Sequence, residues 1–375
     1  MFMQKIMAKK KILFLVNKDN VIYNFRRELA FELINQGYEV YISCPYGKKI
    51  DFMTEKGCKF IDLKIDRRGT SIINDLKLIS EYYKLIKSLR PDVVLAYTSK
   101  CSIYGGMVCK WLEVPYIVNN AGLIETSNYS SFVGVLLNIL YKLGFKGASC
   151  MMYQNSRERD FIQSLIGETY HRDIPGSGVN LNEFKFSEYP ANDNLIRFNY
   201  VARIVDFKGI NELLACAERI TTKYQNTEFV LYGDYDDESY REKVEALEAR
   251  GIVKYGGIQL DMKPCIAVAH CVIHPSYYEG ITNVILEHGA MGRPAIASDI
   301  PGCKEPIDNG KSGYTFELKN VDDLVAKVEK FILLSHEEKA AMGKAAREKI
   351  EREYDRNIVT NIYIEEINKI LNKSN

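Results

Sequence analysis

HPSYYEGITNVILEHGAMGRPAIASDIPGCKEP, residues 274–306, decides how the chain is organised. An apolar strand end at Cys271–His274 gives way to a polar turn at Pro275–Gly280 and then to a helical pattern over Asn283–Met291. Gly292-Arg293-Pro294 stops that helix, and Ala295–Ala297 reads as a short buried strand. Glu279 falls in the loop and Glu287 inside the helix, so a ligand at the helix amino end touches both. The backbone N–H groups of Gly280, Ile281, Thr282 and Asn283 lack intrahelical partners and sit at the positive pole, which favours a phosphate. A carboxylate beside them suits sugar or ribose hydroxyls, whose O–H groups donate to it. Taken singly, each glutamate reads as a solvated side chain beside a turn and an amphipathic helix.

On either side of this run, apolar segments alternate with helical patterns. In the first half the strands are Ile12–Val16, Glu39–Ser43, Phe60–Leu63, Val93–Ala96 and Tyr116–Asn119, with helices over Asn24–Gln36, Ile73–Leu89 and Tyr104–Leu112. In the second half Phe198–Ala202, Glu228–Tyr232 and Val253–Tyr255 alternate with helices over Gly209–Tyr224 and Glu238–Arg250. Such alternation predicts α/β architecture with doubly wound parallel sheets. The polar stretch Asn182–Asn194, which carries Pro190, reads as a linker. Two Rossmann-like domains are expected, 1–182 and 195–356, with a final helix within 357–375 crossing back onto the first. No G-x-G-x-x-G follows the first strand, where Val16-Asn17-Lys18-Asp19-Asn20 stands, so a dinucleotide site is not expected.

A chain of 375 residues, 46% hydrophobic, can bury two cores. Its net charge of +1 argues against a nucleic-acid partner. Nine cysteines without a C-x-x-C pair fit a reduced, cytoplasmic setting. Basic residues precede Ile12–Val16, but that run is too short for a signal peptide. No segment reaches the ~18 apolar residues a membrane-spanning helix requires. Ser130–Phe145 is the most apolar helix-like stretch, with Lys142 and Lys146 at its end; it is either a core helix or one lying on a membrane surface.

Other candidate residues follow strands. Arg203 and Lys208 lie between a strand and a helix, where Arg clamps two phosphate oxygens and Lys supplies a point charge. Tyr255–Asp261 is a Gly-rich turn containing Gly257 and Ile258. The acidic run Asp236-Asp237-Glu238 reads as the start of a helix rather than a metal site, and no Asp-x-Asp is embedded in a strand. In the first half, Asn20–Arg26 follows the first strand, so Asn24 is either a ligand contact or a helix cap. Arg67, in Asp66-Arg67-Arg68-Gly69, and Lys100, in Thr98-Ser99-Lys100, meet either acceptor phosphates or solvent.

The spacing Glu279-x7-Glu287, set among Pro275-Ser276, Gly280, Gly292-Arg293-Pro294 and Ser298-Asp299, resembles the E-x7-E motif of family-4 retaining glycosyltransferases, which have the GT-B fold. The segment 202–209 is similar to that family's G-R-L-x-x-x-K-G motif: Arg203 and Lys208 match, and Ala202 replaces the first Gly. The resemblance implies two Rossmann-like domains facing a cleft, and Arg203 and Lys208 on a donor diphosphate capped by Gly280, Ile281, Thr282 and Asn283. It places Gly257 and Ile258 along the nucleotide base, Glu287 on the ribose and Glu279 on the transferred sugar. It further implies a UDP-sugar donor carrying an N-acetylhexosamine or hexose and no metal or other cofactor. The implied acceptor is a lipid-diphosphate-linked glycan of surface-polysaccharide assembly, met at the inner leaflet by a peripheral protein. Gly122-Leu123-Ile124 departs from the family's Gly-Leu-Gly, so no acceptor contact is carried over there. Two other readings remain open at this point: a nucleotide-sugar epimerase of related fold, and a non-catalytic nucleotide-sugar-binding subunit.

Overall fold

The computed structural model describes residues 9–66, 71–119 and 131–373. Arg67, Arg68 and Gly69, Gly122-Leu123-Ile124 and the residues before Lys9 lie outside them. The chain divides into two units, Met1–Ser177 with Asn357–Asn375, and Gly178–Arg356.

The first unit runs β1 (Lys11–Leu15), α1 (Asp19–Phe25), α2 (Arg27–Asn35), β2 (Glu39–Cys44), α3 (Lys49–Glu55), β3 (Lys59–Asp62), α4 (Ile72–Leu89), β4 (Val93–Tyr97) and α5 (Ser99–Trp111). It continues with β5 (Tyr116–Asn119), α6 (Ser131–Phe145), β6 (Cys150–Tyr153), α7 (Ser156–Ile166) and β7 (His171–Asp173). Its seven strands pair in parallel in the order β3-β2-β1-β4-β5-β6-β7. Both faces are covered, which is why β1 reads as an unbroken apolar run. Ile12 and Phe14 point into one core with Leu29 and Leu33 of α2, whereas Leu13 and Leu15 point into the other with residues of α4 to α7.

The single helix expected over Asn24–Gln36 is two helices, broken at Arg26 (φ −139°, ψ 6°). Arg26 is buried, its guanidinium 5.1 Å from the Tyr97 ring centroid and 5.4 Å from that of Tyr363, and Nη1 donates to Phe25 O at 2.7 Å. A buried cation held by aromatic faces sets the backbone there, and helical periodicity carries no sign of it. Asn24 is therefore exposed inside α1 and caps nothing, contrary to one of the two sequence readings.

The second unit runs β8 (Ile196–Val201), α8 (Ile210–Lys223), β9 (Thr227–Tyr232), α9 (Tyr240–Ala249), β10 (Lys254–Gly257), α10 (Lys263–Val268), β11 (Cys271–His274) and α11 (Asn283–Ala290). After these come β12 (Ala295–Ser298), β13 (Gly313–Phe316), α12 (Val321–Ile332) and α13 (His336–Glu353). Its six strands are ordered β10-β9-β8-β11-β12-β13, all parallel. The last helix, α14 (Arg356–Lys373), starts with the final residue of this unit and continues into the first, where Val359, Tyr363, Ile367 and Leu371 join the core beneath α1 to α3. Asp236-Asp237-Glu238 precedes α9 instead of forming its first turn, a correction to the sequence reading: Asp237 Oδ1 accepts from Ser239 N at 2.9 Å, and the helix begins at Tyr240.

The stretch 182–194, polar in sequence, belongs to the second unit. Arg293 holds part of it. This side chain is 1% exposed and donates to the backbone oxygens of Ser187 (3.0 Å), Glu188 (2.8 Å), Ile266 (3.2 Å), Ala267 (2.7 Å) and Met291 (2.7 Å), and to Ser187 Oγ (3.0 Å). Burial pulls its pKa down to about 10 against the opposing influence of Tyr189 and Glu188. The Gly-Arg-Pro that reads as a helix stop thus also ties 187–188 to α10 and α11.

Candidate active site

β8 and β11 are neighbours although β9 and β10 separate them in sequence, so chain order reverses between them. Loops leaving the carboxyl ends of such a pair diverge and open a crevice where ligands of α/β sheets bind. Here the two loops are 202–209 and 275–282, which contain the sequence-predicted cations and Glu279. They dock backbone to backbone. Tyr277 N donates to Phe207 O at 2.9 Å, and Gly209, at φ +73°, lies so close to Pro275 that a Cβ would overlap the Pro275 carbonyl.

That contact brings Lys208 Nζ to 2.5 Å from Glu279 Oε1. The same oxygen lies 3.0 Å from His274 Nε2. Burial alone would raise the Glu279 pKa, but the bond from His274 and the charge of Lys208 outweigh it and hold the carboxyl at about 2. Arg203 is half exposed; its Nη1 lies 2.5 Å from Asp236 Oδ2, and its guanidinium is 5.2 Å from the Phe207 ring centroid. Phe207 in turn stacks on Tyr278, centroids 5.0 Å apart at 14°. Both cations of the loop therefore hold carboxylate partners, and a diphosphate would have to compete with Asp236 and Glu279 for them.

α11 starts at the same edge. Its cap residue Thr282 makes no side-chain cap bond, and its amide donates to Gly302 O at 3.0 Å. Gly302, at φ +95°, lets its chain press against Gly280, where a Cβ would overlap the Gly280 carbonyl. Of the four amides that the sequence offers to a phosphate, that of Thr282 is thus already bonded. Glu287, one turn into α11, is half-buried; burial, with Glu183 adding to it, lifts its pKa to about 7 against Arg356 and Lys263. Gly257 ends β10 at φ +66°, its carbonyl accepting from Gly233 N at 3.0 Å, and Ile258 is 64% exposed beside it. Arg203, Lys208, Glu279, the α11 amino end and Gly257 therefore all stand at the carboxyl edge of one sheet.

The first-unit candidates do not form such a cluster. Lys100, in the first turn of α5, lies 2.6 Å from Asp75 Oδ1 of α4, and Asp75 also accepts from Tyr104 Oη at 2.7 Å. Asn24 is on α1, whose Ile22 packs into the opposite side of the sheet from Cys101 and Ile103 of α5. Among the described residues no group of three His, Cys, Asp or Glu side chains could hold a metal ion. Sequence reasoning missed His274 and Asp236 as partners of Glu279 and Arg203. The only signal for His274 was its place, five residues ahead of Glu279 at a strand end.

The two Rossmann-like parallel-sheet domains are those of the GT-B glycosyltransferases. Residues 182–349 match the family model described as glycosyl transferases group 1, and residues 11–155 match that of glycosyl transferase 4-like proteins; the chain belongs to this glycosyltransferase family. Among relatives, it is 27% identical to an N,N'-diacetylbacillosaminyl-diphospho-undecaprenol alpha-1,3-N-acetylgalactosaminyltransferase of Campylobacter jejuni, covering 96% of this chain and 99% of that one. It is 22% identical to the capsular polysaccharide biosynthesis glycosyltransferase CapM of Staphylococcus aureus, covering 94% and 95%. Its fold is similar to that of the Anabaena protein HepE, solved with UDP and glucose, at a TM-score of 0.78 and 16% identity over 96% of this chain and 100% of that one.

Proposed function

We propose that this glycosyltransferase moves an N-acetylhexosamine or hexose from a UDP-sugar to a lipid-diphosphate-linked glycan in bacterial surface-polysaccharide assembly, with retention of configuration and without a metal. The observation that carries the reading is the meeting of Lys208 with Glu279 where the loops after β8 and β11 dock. In the proposed complex Arg203 and Lys208 take the diphosphate beside the α11 amino end, Glu287 takes the ribose, and Gly257 and Ile258 lie along the base. Glu279 meets the transferred sugar. Two fixed cations stabilise the charge that develops on the departing phosphate, the task a divalent ion performs elsewhere. The full-length match to the Campylobacter enzyme, whose name specifies an undecaprenyl-diphosphate-linked glycan, supports the acceptor class, and HepE, solved with UDP, supports the donor.

A panel of UDP-sugars offered with polyprenyl-diphosphate-linked glycans tests this. Transfer should occur from at least one UDP-sugar and proceed at the same rate in EDTA. Activity lost in chelator and restored by Mg²⁺ or Mn²⁺ would overturn the metal-free part, and no transfer from any UDP-sugar would overturn the whole.

We propose further that the protein attaches peripherally to the cytoplasmic face of the membrane. No helix among the described residues is long and apolar enough to cross a bilayer. α6 divides its faces: Tyr141 and Phe145 are buried in the core, whereas Val135, Leu136, Ile139 and Leu143 are exposed. Ile72, Ile73 and Leu76 at the start of α4, in the same helical layer, are exposed as well. The core reading of this helix holds for the side carrying Tyr141 and Phe145, and the exposed apolar side supports the membrane-surface reading. Lys142 and Lys146 suit anionic headgroups. The protein should cosediment with vesicles containing anionic lipid and release at high salt, because the attraction is screened within about 10 Å at 0.1 M. Sedimentation no greater than that of a soluble control would remove the membrane from the account.

A further inference from the structure

His274 closes β11 and is 2% exposed. Its Nε2 lies 3.0 Å from Glu279 Oε1 and 3.1 Å from Thr282 Oγ1, while its Nδ1 is buried without a hydrogen-bond partner. The neighbours settle where the proton sits. A carboxylate only accepts, so Nε2 carries a hydrogen and donates it to Glu279. One ring therefore joins a strand end, the loop glutamate and the first residue of the α11 amino end.

This arrangement does more than fill space. Glu279 Oε1 is held from two sides, by Lys208 at 2.5 Å and by His274 at 3.0 Å. A carboxylate so held cannot turn about its last bond without breaking a charge-assisted contact, and once Lys208 is drawn to a diphosphate it is the His274 bond that keeps the direction of Oε2 set. Thr282 has its hydroxyl beside His274 and makes no side-chain cap bond to α11, a bond that threonine ordinarily supplies at such a position. Stability is forgone at the helix end where the ligand is expected.

We infer that His274 is a positioning residue for sugar transfer: its Nε2–H fixes the Glu279 carboxylate against the transferred sugar and ties it to the amino end of α11. The inference rests on the proposed contact between Glu279 and the sugar.

His274→Asn and His274→Gln separate orientation from packing, since the Gln amide reaches the place of Nε2 and the Asn amide ends near that of Nδ1. Turnover is read as UDP release from whichever of UDP-glucose, UDP-galactose, UDP-N-acetylglucosamine and UDP-N-acetylgalactosamine is used fastest, and UDP affinity by calorimetry. His274→Asn should lose on the order of tenfold to a hundredfold in kcat, the worth of one charge-assisted bond. Its UDP affinity should stay within about twofold of wild type, and His274→Gln should recover most of the turnover. Equal turnover in the two variants, or a His274→Asn loss that appears in UDP affinity and thermal midpoint instead of kcat, would overturn the assignment. Glu279→Gln runs alongside as the control on the underlying reading. If it turns over at the wild-type rate, the sugar contact itself is wrong; if it is slow while His274→Asn is normal, only the role of His274 fails.

Discussion

Arg293→Met should destabilise the second unit by roughly 3–5 kcal/mol, because several buried oxygens lose their donor at once and each such loss costs about 1–3 kcal/mol before relaxation. The guanidinium serves six backbone oxygens, that of Gly292 at 3.4 Å among them, and one hydroxyl, contributed by residues 187–188, α10 and the turn that ends α11. Methionine matches its apolar stem but ends where the guanidinium begins and donates nothing, so those oxygens lose their partners in a place where an unsatisfied buried group costs about 1–3 kcal/mol. Arg293→Lys keeps the charge without the planar fork and should fall between the two. Urea unfolding followed by a probe in the second unit decides it. A midpoint for Arg293→Met equal to wild type would mean that water replaces the guanidinium and that residues 187–188 are held by something else.

Glu279 and Glu287 should separate cleanly in both binding and stability. Glu287→Gln is expected to weaken UDP about tenfold, the order of a lost charge-assisted hydrogen bond. Glu279→Gln should leave UDP affinity nearly intact and lower turnover by about a hundredfold. The pH dependences have opposite signs. Glu287 has an ordinary value of 4.5 and about 7 in the fold, so the folded state holds its proton more tightly and stability falls as pH rises through that interval. Glu287→Gln should therefore melt above wild type at pH 8 and close to it at pH 5. Glu279 stands at about 2 in the fold, so its carboxylate stabilises above 4.5 and that contribution is lost as pH falls towards 2. Glu279→Gln should melt below wild type at pH 8. UDP affinity of the wild type should also decline below about pH 7 as Glu287 protonates. Melting curves and UDP titrations at the two pH values check all of this, and Glu279→Gln losing UDP as badly as Glu287→Gln would refute the division.

The stretch 274–306 was legible because its punctuation is local. Gly280, Gly292 and Pro294 bound a helix whose period is plain, and the loop cations Arg203 and Lys208 stand between a strand and a helix of ordinary pattern. Partners were not legible. Asp236 meets Arg203, and Gly302 meets Thr282, where the loops after the neighbouring strands β8 and β9, and β11 and β12, come together at the sheet edge, and which loop residues pair there is not written in hydrophobic period. β6, β7 and β13 have three or four residues each, too few for a period to show. In the first half the loop candidates were weaker for the same reason: Lys100 reads as meeting either acceptor phosphates or solvent until α4 supplies Asp75. The composition of 182–194 suggests a free connector, and the residue that contradicts it, Arg293, lies about a hundred positions downstream.

Tyr363, Ile367 and Leu371 complete a core that Ile12, Phe14 and Leu29 begin, so the early strands of the first unit must wait for a helix synthesised after the second unit. The second unit is continuous from Gly178 to Arg356 and has its whole chain available before α14 has left the ribosome. Vectorial synthesis usually lets the amino-terminal domain fold first. Here the order is reversed for the completed core: the second unit can close while the first, its sheet face covered on that side by α1 to α3 alone, still lacks the wall that α14 supplies.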